Sequence, residues 1–198
     1  GVTILAATKG RTIKEISQAV AAGIFVIGEN RVQELLNKLP NLPKKIRIDF
    51  IGHLQNNKVK DVVKYCFLIH SVDSLHLAQE IDKQAKKIDK IQNILLEINV
   101  SGEKTKYGFN PEELISTVGK ILKMKNLQLK GLMTMAPYFE NKEMTRPIFR
   151  KLKTLCSDLE KKYFISLPEL SMGMTNDYQI AIEEGTTIVR LGKIIFDS

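Results

Sequence analysis

The residue with the clearest chemical potential is Lys9, which follows an apolar, β-favouring run at residues 2–8. Side chains alternate along a β-strand, so Thr3, Leu5, Ala7 and Lys9 share one face. If that face lines a closed core, Lys9 lies at its rim, where partial desolvation favours the free amine over the ammonium ion. A free amine can act as a nucleophile or form a Schiff base. The alternative is an ordinary surface lysine just beyond a strand.

Two glycine-containing segments could hold an anion such as a phosphate. Residues 171–174 read Ser-Met-Gly-Met, and residues 191–193 read Leu-Gly-Lys ahead of a short apolar turn at 194–196. Free N–H groups at the start of such a turn favour anion binding. The alternative is that each glycine only relieves crowding where the backbone bends. The sequence has neither G-x-G-x-x-G nor G-x-x-x-x-G-K-[ST], which argues against nucleotide binding by those devices.

Strand-like and amphipathic helical segments alternate from end to end of the chain. Strands are predicted up to residue 8 and at 25–29, 46–52, 67–72, 93–100, 127–135, 169–173 and 187–191. Helices are predicted at 12–22, 31–39, 57–65, 74–88, from 110 onward, 142–163 and 178–184. This α/β pattern predicts a (β/α)8 TIM-like barrel as a single domain over residues 1–198. A doubly wound open sheet is the alternative, because periodicity does not report closure.

Only seven helices separate the eight predicted strands, so the eighth helix is expected to lie outside this segment or to be absent. Active sites of such barrels form at the carboxyl ends of the strands. Lys9, Asn30, His53, Ser171 and Arg190 all end or follow predicted strands, and we expect them to converge on one rim. The alternatives are that Asn30 only starts a helix and that His53 only closes a loop by hydrogen bonding.

A Schiff-base lysine facing a phosphate-binding loop describes a site for pyridoxal phosphate. Arg190 is placed to meet the pyridine nitrogen, and His53 could flank the ring or its 3-oxygen. Because an arginine does not give up its proton, the ring nitrogen would stay unprotonated and the ring would be a weaker electron sink. Such a cofactor is poorly tuned for chemistry that needs a strongly stabilised carbanion.

Composition limits the remaining classes of function. The chain has 198 residues, 43% hydrophobic, with a net charge of +8 and a pI near 9.4. The positive charge is spread over predicted helices and turns, so RNA binding is kept only as a second alternative. Cys66 and Cys156 lack metal-type spacing, which indicates no metal site and favours a reduced cytoplasm. No run is long enough to span a bilayer.

The chain resembles the pyridoxal phosphate homeostasis proteins, which are related to the N-terminal barrel of alanine racemase. The matching motifs are 6–9 (AATK), 27–34 (IGENRVQE), 50–58 (FIGHLQNNK), 70–73 (HSVD), 131–135 (GLMTM), 170–177 (LSMGMTND) and 189–192 (VRLG). They occur in the order of the family and span almost the whole chain. The resemblance implies a fold-type III barrel whose missing helix precedes Gly1.

The resemblance also implies the site. Pyridoxal phosphate is expected on Lys9, with its phosphate near residues 171, 173, 192 and 193 and Arg190 at the ring nitrogen. The predicted cofactor-binding residues are Lys9, Asn30, His53, Met133, Ser171, Gly173, Arg190, Gly192 and Lys193. Lys193 departs from the small hydroxyl residue that the family usually has there, so that an ammonium replaces a hydroxyl near the phosphate, or points away.

The expected function is that of a cytoplasmic, monomeric carrier or buffer of pyridoxal phosphate in vitamin B6 and amino-acid homeostasis, without established catalysis. Its expected partners are the cofactor and apo forms of the enzymes that use it, with no membrane, and a nucleic-acid partner is expected only under the RNA-binding alternative. The alternative is an amino-acid racemase or another fold-type III enzyme. Two features argue against the racemase. We identify no second domain in the chain that could cover the site. No sequence feature marks any of Tyr107, Tyr138 and Tyr178 as the base that a racemase needs on the opposite face of the cofactor.

Overall fold

The chain folds as a closed barrel of parallel strands in a computed structural model that describes residues 1–197. Neighbouring strands follow the order of the chain, and β8 closes the barrel on β1. The strands are β1 Thr3–Ala7, β2 Val26–Glu29, β3 Arg47–Phe50, β4 Leu68–Val72, β5 Gln92–Glu97, β6 Leu127–Met133, β7 Glu169–Met174 and β8 Ile188–Leu191. The predicted (β/α)8 barrel is therefore confirmed, and the open-sheet alternative is wrong.

Within residues 1–197, seven α-helices connect the strands, and a short eighth α-helix follows β8. They are α1 Ile13–Ala21, α2 Val32–Lys38, α3 Val59–Tyr65, α4 Leu75–Lys87, α5 Pro111–Ile121, α6 Arg146–Tyr163, α7 Tyr178–Glu183 and α8 Lys193–Phe196. Local sequence explains several of their starts. Thr12 and Glu15 form the capping box of α1, and Pro111 and Pro147 lie in the first turns of α5 and α6, where no N–H is needed.

Four strands, β1, β3, β5 and β6, end earlier than the sequence predicts, and the ends of β1 and β5 lie near the site. β1 stops at Ala7, because Lys9 and Gly10 form a turn in which Gly10 has a φ of +71°. β5 stops at Glu97, because the chain beyond Ile98 pairs with Phe109 of the following loop instead of with β6. Each of these two ends places a polar side chain at the mouth of the barrel.

Apolar side chains fill the inside of the barrel and the layer between strands and helices. The inner cluster consists of Leu5, Ile51, Leu68, Leu95, Met133 and Ile188. The larger outer cluster packs the strands against α2 to α7. A filled interior leaves ligands only the mouth, as is usual for this architecture. Within residues 1–197, no helix combines the length and apolarity that a bilayer crossing requires.

Candidate functional site

A cavity of about 330 Å³ opens at the carboxyl ends of β1, β7 and β8. Arg190 and Ala7 lie on its strand side, and Gly192 and Lys193 border it at the start of α8. The loop from β7 to α7 adds Met174, Thr175, Asn176 and Asp177. The lining thus contains the cations Lys142, Arg190 and Lys193, and hydroxyl and amide donors, beside the single carboxyl group of Asp177. Such donors suit an anionic ligand.

The Lys9 side chain is exposed in the turn after β1, so the partial burial expected for it is not found. Hydrogen bonds nevertheless fix Thr8 and Gly10, the residues on both sides of Lys9. Thr8 is buried, and its hydroxyl donates a hydrogen bond to Glu29 Oε1 at 2.7 Å and lies 3.2 Å from the Gly28 carbonyl oxygen. On the other side of Lys9, the Gly10 N–H donates to Glu34 Oε1 at 2.6 Å.

One lysine links these two anchors. Lys38 Nζ lies 2.9 Å from Glu29 Oε1, 2.7 Å from Glu34 Oε1 and 2.6 Å from the Thr8 carbonyl oxygen. Burial raises the pKa of Glu29, while the bonds from Lys38 and Thr8 oppose that rise. We call Lys38, Glu29 and Glu34 the Lys9 clamp. It fixes the backbone on both sides of Lys9 and leaves the amine free for a ligand.

Arg190 is a buried cation on the inner wall of the cavity, with only 4% of its surface exposed. One terminal nitrogen donates to Ser171 Oγ at 2.5 Å, and the other donates to the Thr134 carbonyl at 3.0 Å. Burial lowers the pKa of Arg190 to about 10, and the carboxylates of Glu97 and Asp177 oppose that shift. The guanidinium stays charged at neutral pH, and within residues 1–197 its Nε has no hydrogen-bond partner.

A chain of hydrogen bonds runs from Arg190 into the barrel. Ser171 Oγ lies 2.8 Å from His70 Nδ1, and His70 Nε2 lies 3.0 Å from Asp49 Oδ2. Arg47 closes the chain with two bonds of 2.8 Å to the Asp49 carboxylate. In the neutral tautomer with the His70 proton on Nε2, that nitrogen donates to Asp49, and the serine hydroxyl, which accepts from Arg190, donates to Nδ1. Every member of this relay is then satisfied with a neutral His70.

Ser171, His70 and Asp49 have the residue types of a hydrolytic triad, but they cannot act as one. All three side chains are fully buried, and Ser171 Oγ already accepts a bond from Arg190. A nucleophile must reach a carbonyl carbon, which this burial prevents. Burial lowers the pKa of His70, and the nearby Asp49 carboxylate opposes that shift. The relay therefore holds Arg190 in place and does not attack a substrate.

The predicted site residues do not all line the same cavity. Arg190, Gly192 and Lys193 share the main cavity, whereas Asn30 and His53 line a different one of about 340 Å³. His53 stacks on Tyr107 at 3.7 Å between ring centres, and its Nδ1 lies 3.3 Å from Asp73 Oδ2. The convergence of all five rim residues on one pocket is therefore not found.

Three further predicted residues lie within the barrel wall. Ser171 is fully buried and is bonded to Arg190 and His70, so its hydroxyl does not face the cavity as expected. Met133 is also fully buried, in the inner apolar cluster. Gly173 has a φ of +96°, and a Cβ there would lie 2.6 Å from the Ala181 methyl group, so glycine is required by the backbone.

Several residues of the site were missed by reasoning from the sequence. Thr175 lines the main cavity two residues beyond the predicted glycine, and it supplies the accessible hydroxyl that Ser171 does not. Glu97 lies at the end of β5, where an apolar run concealed it. Glu29 is recognisable as a polar residue at the end of the second predicted strand, but nothing in the sequence pairs it with Lys38, which falls on a predicted helix outside the motif at 27–34.

Comparison with known proteins gives the same architecture. The family model for the alanine racemase N-terminal domain matches residues 4–197. The pyridoxal phosphate homeostasis protein of Aquifex aeolicus is 46% identical over 195 residues, covering 98% of this chain and 85% of that protein. The chain thus belongs to the pyridoxal phosphate homeostasis protein family, within the alanine racemase N-terminal domain class.

Two solved structures share the fold of this chain. PipY of Synechococcus elongatus, solved with pyridoxal phosphate bound, superposes with a TM-score of 0.91 at 32% identity, covering 98% of this chain and 92% of that one. An alanine racemase of Clostridium difficile gives a TM-score of 0.83 at 17% identity, covering 98% of this chain and 52% of that one. The racemase likeness supports the shared barrel and says nothing about activity.

The Lys9 clamp is testable by removing its cation. We expect Lys38→Met to lower the free energy of unfolding by on the order of 3 kcal/mol, because Glu29 is left buried without its partner. The control is Lys83→Met, since Lys83 is 64% exposed and its pair with Glu80 spans 3.6 Å. That control should change stability by less than about 0.5 kcal/mol. Equal stability of the two variants in urea unfolding would contradict the clamp.

The relay predicts a pH dependence of stability. The pKa of His70 is lowered in the fold, so the unfolded chain binds more protons below its ordinary value of about 6.5, and stability falls as pH falls through that value. Between pH 7.5 and pH 5.5 we expect the parent protein to lose about 1 kcal/mol more than His70→Gln. The measurement is urea unfolding of both proteins at each pH, and identical losses would show that His70 is not held neutral.

Proposed function

We propose that this protein binds pyridoxal phosphate as a Schiff base on Lys9 and acts as a carrier or buffer of the cofactor. The observation that carries the proposal is the mouth of the barrel, where the anchored turn of Lys9 and the cavity of Arg190 lie on neighbouring strands. Family membership and the cofactor in the PipY structure support it. A cofactor aldehyde would supply the carbonyl carbon that reacts with the lysine amine.

The residues around the main cavity fit the phosphate of such a ligand. The Lys193 and Ile194 N–H groups precede the first hydrogen bond of α8, which Ile195 donates to the Gly192 carbonyl. Thr175 adds a hydroxyl from the facing loop, and the Lys193 ammonium adds a positive charge at the rim. In this proposal Thr175 takes the hydroxyl role first expected of Ser171, and Lys193 replaces the hydroxyl that the family usually has.

Arg190 is proposed to hold the pyridine nitrogen through its unpaired Nε–H. The relay behind it occupies both terminal nitrogens, which fixes the direction of that last donor. Since a donor on the ring nitrogen leaves no room for a proton there, the ring is a weak electron sink. This property supports storage and transfer to apo enzymes over carbanion chemistry. The two buried, free cysteines support a reducing compartment such as the cytoplasm.

The role of Lys9 is tested by titrating the purified protein with pyridoxal phosphate. We expect a near-visible absorption band that borohydride removes, that Lys9→Ala abolishes and that Lys14→Ala retains, since Lys14 is an exposed lysine on α1. A colourless parent protein, or a band of full intensity in Lys9→Ala, would overturn the proposal. In D2O, the loaded protein should exchange no α-hydrogen of added amino acids, and such exchange would favour the racemase instead.

A further inference from the structure

A second cavity of about 290 Å³ adjoins the main one, and the two share Ala136 and Met174. Glu97, at the end of β5, is the buried acidic residue that lines it. Lys106 and Tyr107, from the loop between β5 and α5, form its outer rim. The volume of this cavity lies at the lower end of the range of roughly 300–1,000 Å³ that is typical of ligand pockets, which is sufficient for a molecule as small as an amino acid.

Glu97 is a buried residue of this cavity whose carboxyl group lacks a hydrogen-bond partner among residues 1–197. Only 4% of its surface is exposed, and within residues 1–197 its side chain makes no hydrogen bond or ion pair. The other fully buried acids differ, because Asp49 is bonded to Arg47 and His70, and Glu29 is bonded to Lys38 and Thr8. A buried carboxyl without a partner costs stability, which natural proteins accept mainly at functional positions.

The charges around Glu97 favour a cationic ligand. Burial and the nearby Asp73 carboxylate raise the pKa of Glu97 to about 7, while Arg190 on the far side opposes that rise. Asp73 is itself engaged with His53, and as a second carboxylate it adds negative potential beside Glu97. A metal ion is not indicated, because no group of three metal-ligating side chains occurs among the described residues. An ammonium group would supply the missing hydrogen bonds and charge.

We propose that this second cavity binds the ammonium group of a small primary-amine compound, with α-amino acids as the favoured class. Glu97 accepts the hydrogen bonds of the ammonium group. Lys106, which is 30% exposed and lies 3.3 Å from Glu103, meets the ligand carboxylate at the rim. The inference rests on the proposed function in one respect: because the cavities adjoin, the amine would lie beside a cofactor bound in the main one.

The test uses cofactor-free protein, so that its outcome is independent of cofactor binding. Calorimetric titration with three probes separates the contributions: alanine, ethylamine, which lacks the carboxylate, and propionate, which lacks the ammonium. We expect alanine and ethylamine to bind at millimolar concentration and propionate to bind far more weakly. Glu97→Gln should weaken both amines at least tenfold. The matched control Glu103→Gln replaces a 42% exposed carboxylate on the same loop and should leave ethylamine binding unchanged.

A second variant and the pH dependence of ethylamine affinity test the subsite further. Lys106→Gln should weaken alanine but not ethylamine. In the parent protein, ethylamine affinity should rise about tenfold from pH 6 to pH 8 as Glu97 ionises among Asp73, Arg190 and Lys106, and this rise should vanish in Glu97→Gln. Equal amine affinity in Glu97→Gln, propionate binding as tight as alanine, or no amine binding by the cofactor-free protein would each overturn the subsite.

Discussion

The closure of β8 on β1 is the constraint on which the rest of the site depends. In this pairing Leu5 lies opposite Arg190 and Ala6 lies opposite Leu191, so both strands end at the same mouth. Lys9 follows one strand and the loop of Gly192 and Lys193 follows the other. In an open sheet these segments would lie at opposite edges, and the proposed cofactor site could not form between them.

Two buried polar networks support this mouth from outside the cavity. The Lys9 clamp holds the backbone around Lys9 from β2 and α2, and the relay through Ser171, His70 and Asp49 holds Arg190 from inside the barrel. Neither network includes the Lys9 amine or the Nε–H of Arg190, the two groups proposed to meet the cofactor. Buried charges of this kind are stable only when each is paired, and both networks meet that requirement almost completely. Glu97 belongs to neither network, and its buried carboxyl group without a hydrogen-bond partner among residues 1–197 is the observation behind the proposed amine subsite.

The fold was predictable because its signal is repeated along the chain. Alternating strand and helix patterns predicted the barrel, and a capping box at Thr12 and prolines at helix starts marked its helices. The same patterns predicted that Lys9, Arg190 and Gly192 lie at the carboxyl end of the barrel. Side-chain direction was less predictable. The register shifts between Ser171 and Met174 in the pairing of β7 with β8, and no sequence pattern marks such a bulge. Ser171 was therefore expected in the cavity, although Thr175 lies there. Glu97 was hidden because its neighbours in β5 read as an apolar strand.

The central claim is that the exposed Lys9, held by its clamp, is the amine that takes the cofactor. Lys142 and Lys193 line the main cavity directly and are its competitors. Borohydride reduction of the protein loaded with pyridoxal phosphate, followed by peptide mass spectrometry, decides among them. The account predicts a pyridoxyl group on the peptide that contains Lys9 and on no other lysine in comparable yield. A pyridoxyl group mainly on Lys142 or Lys193 would contradict it.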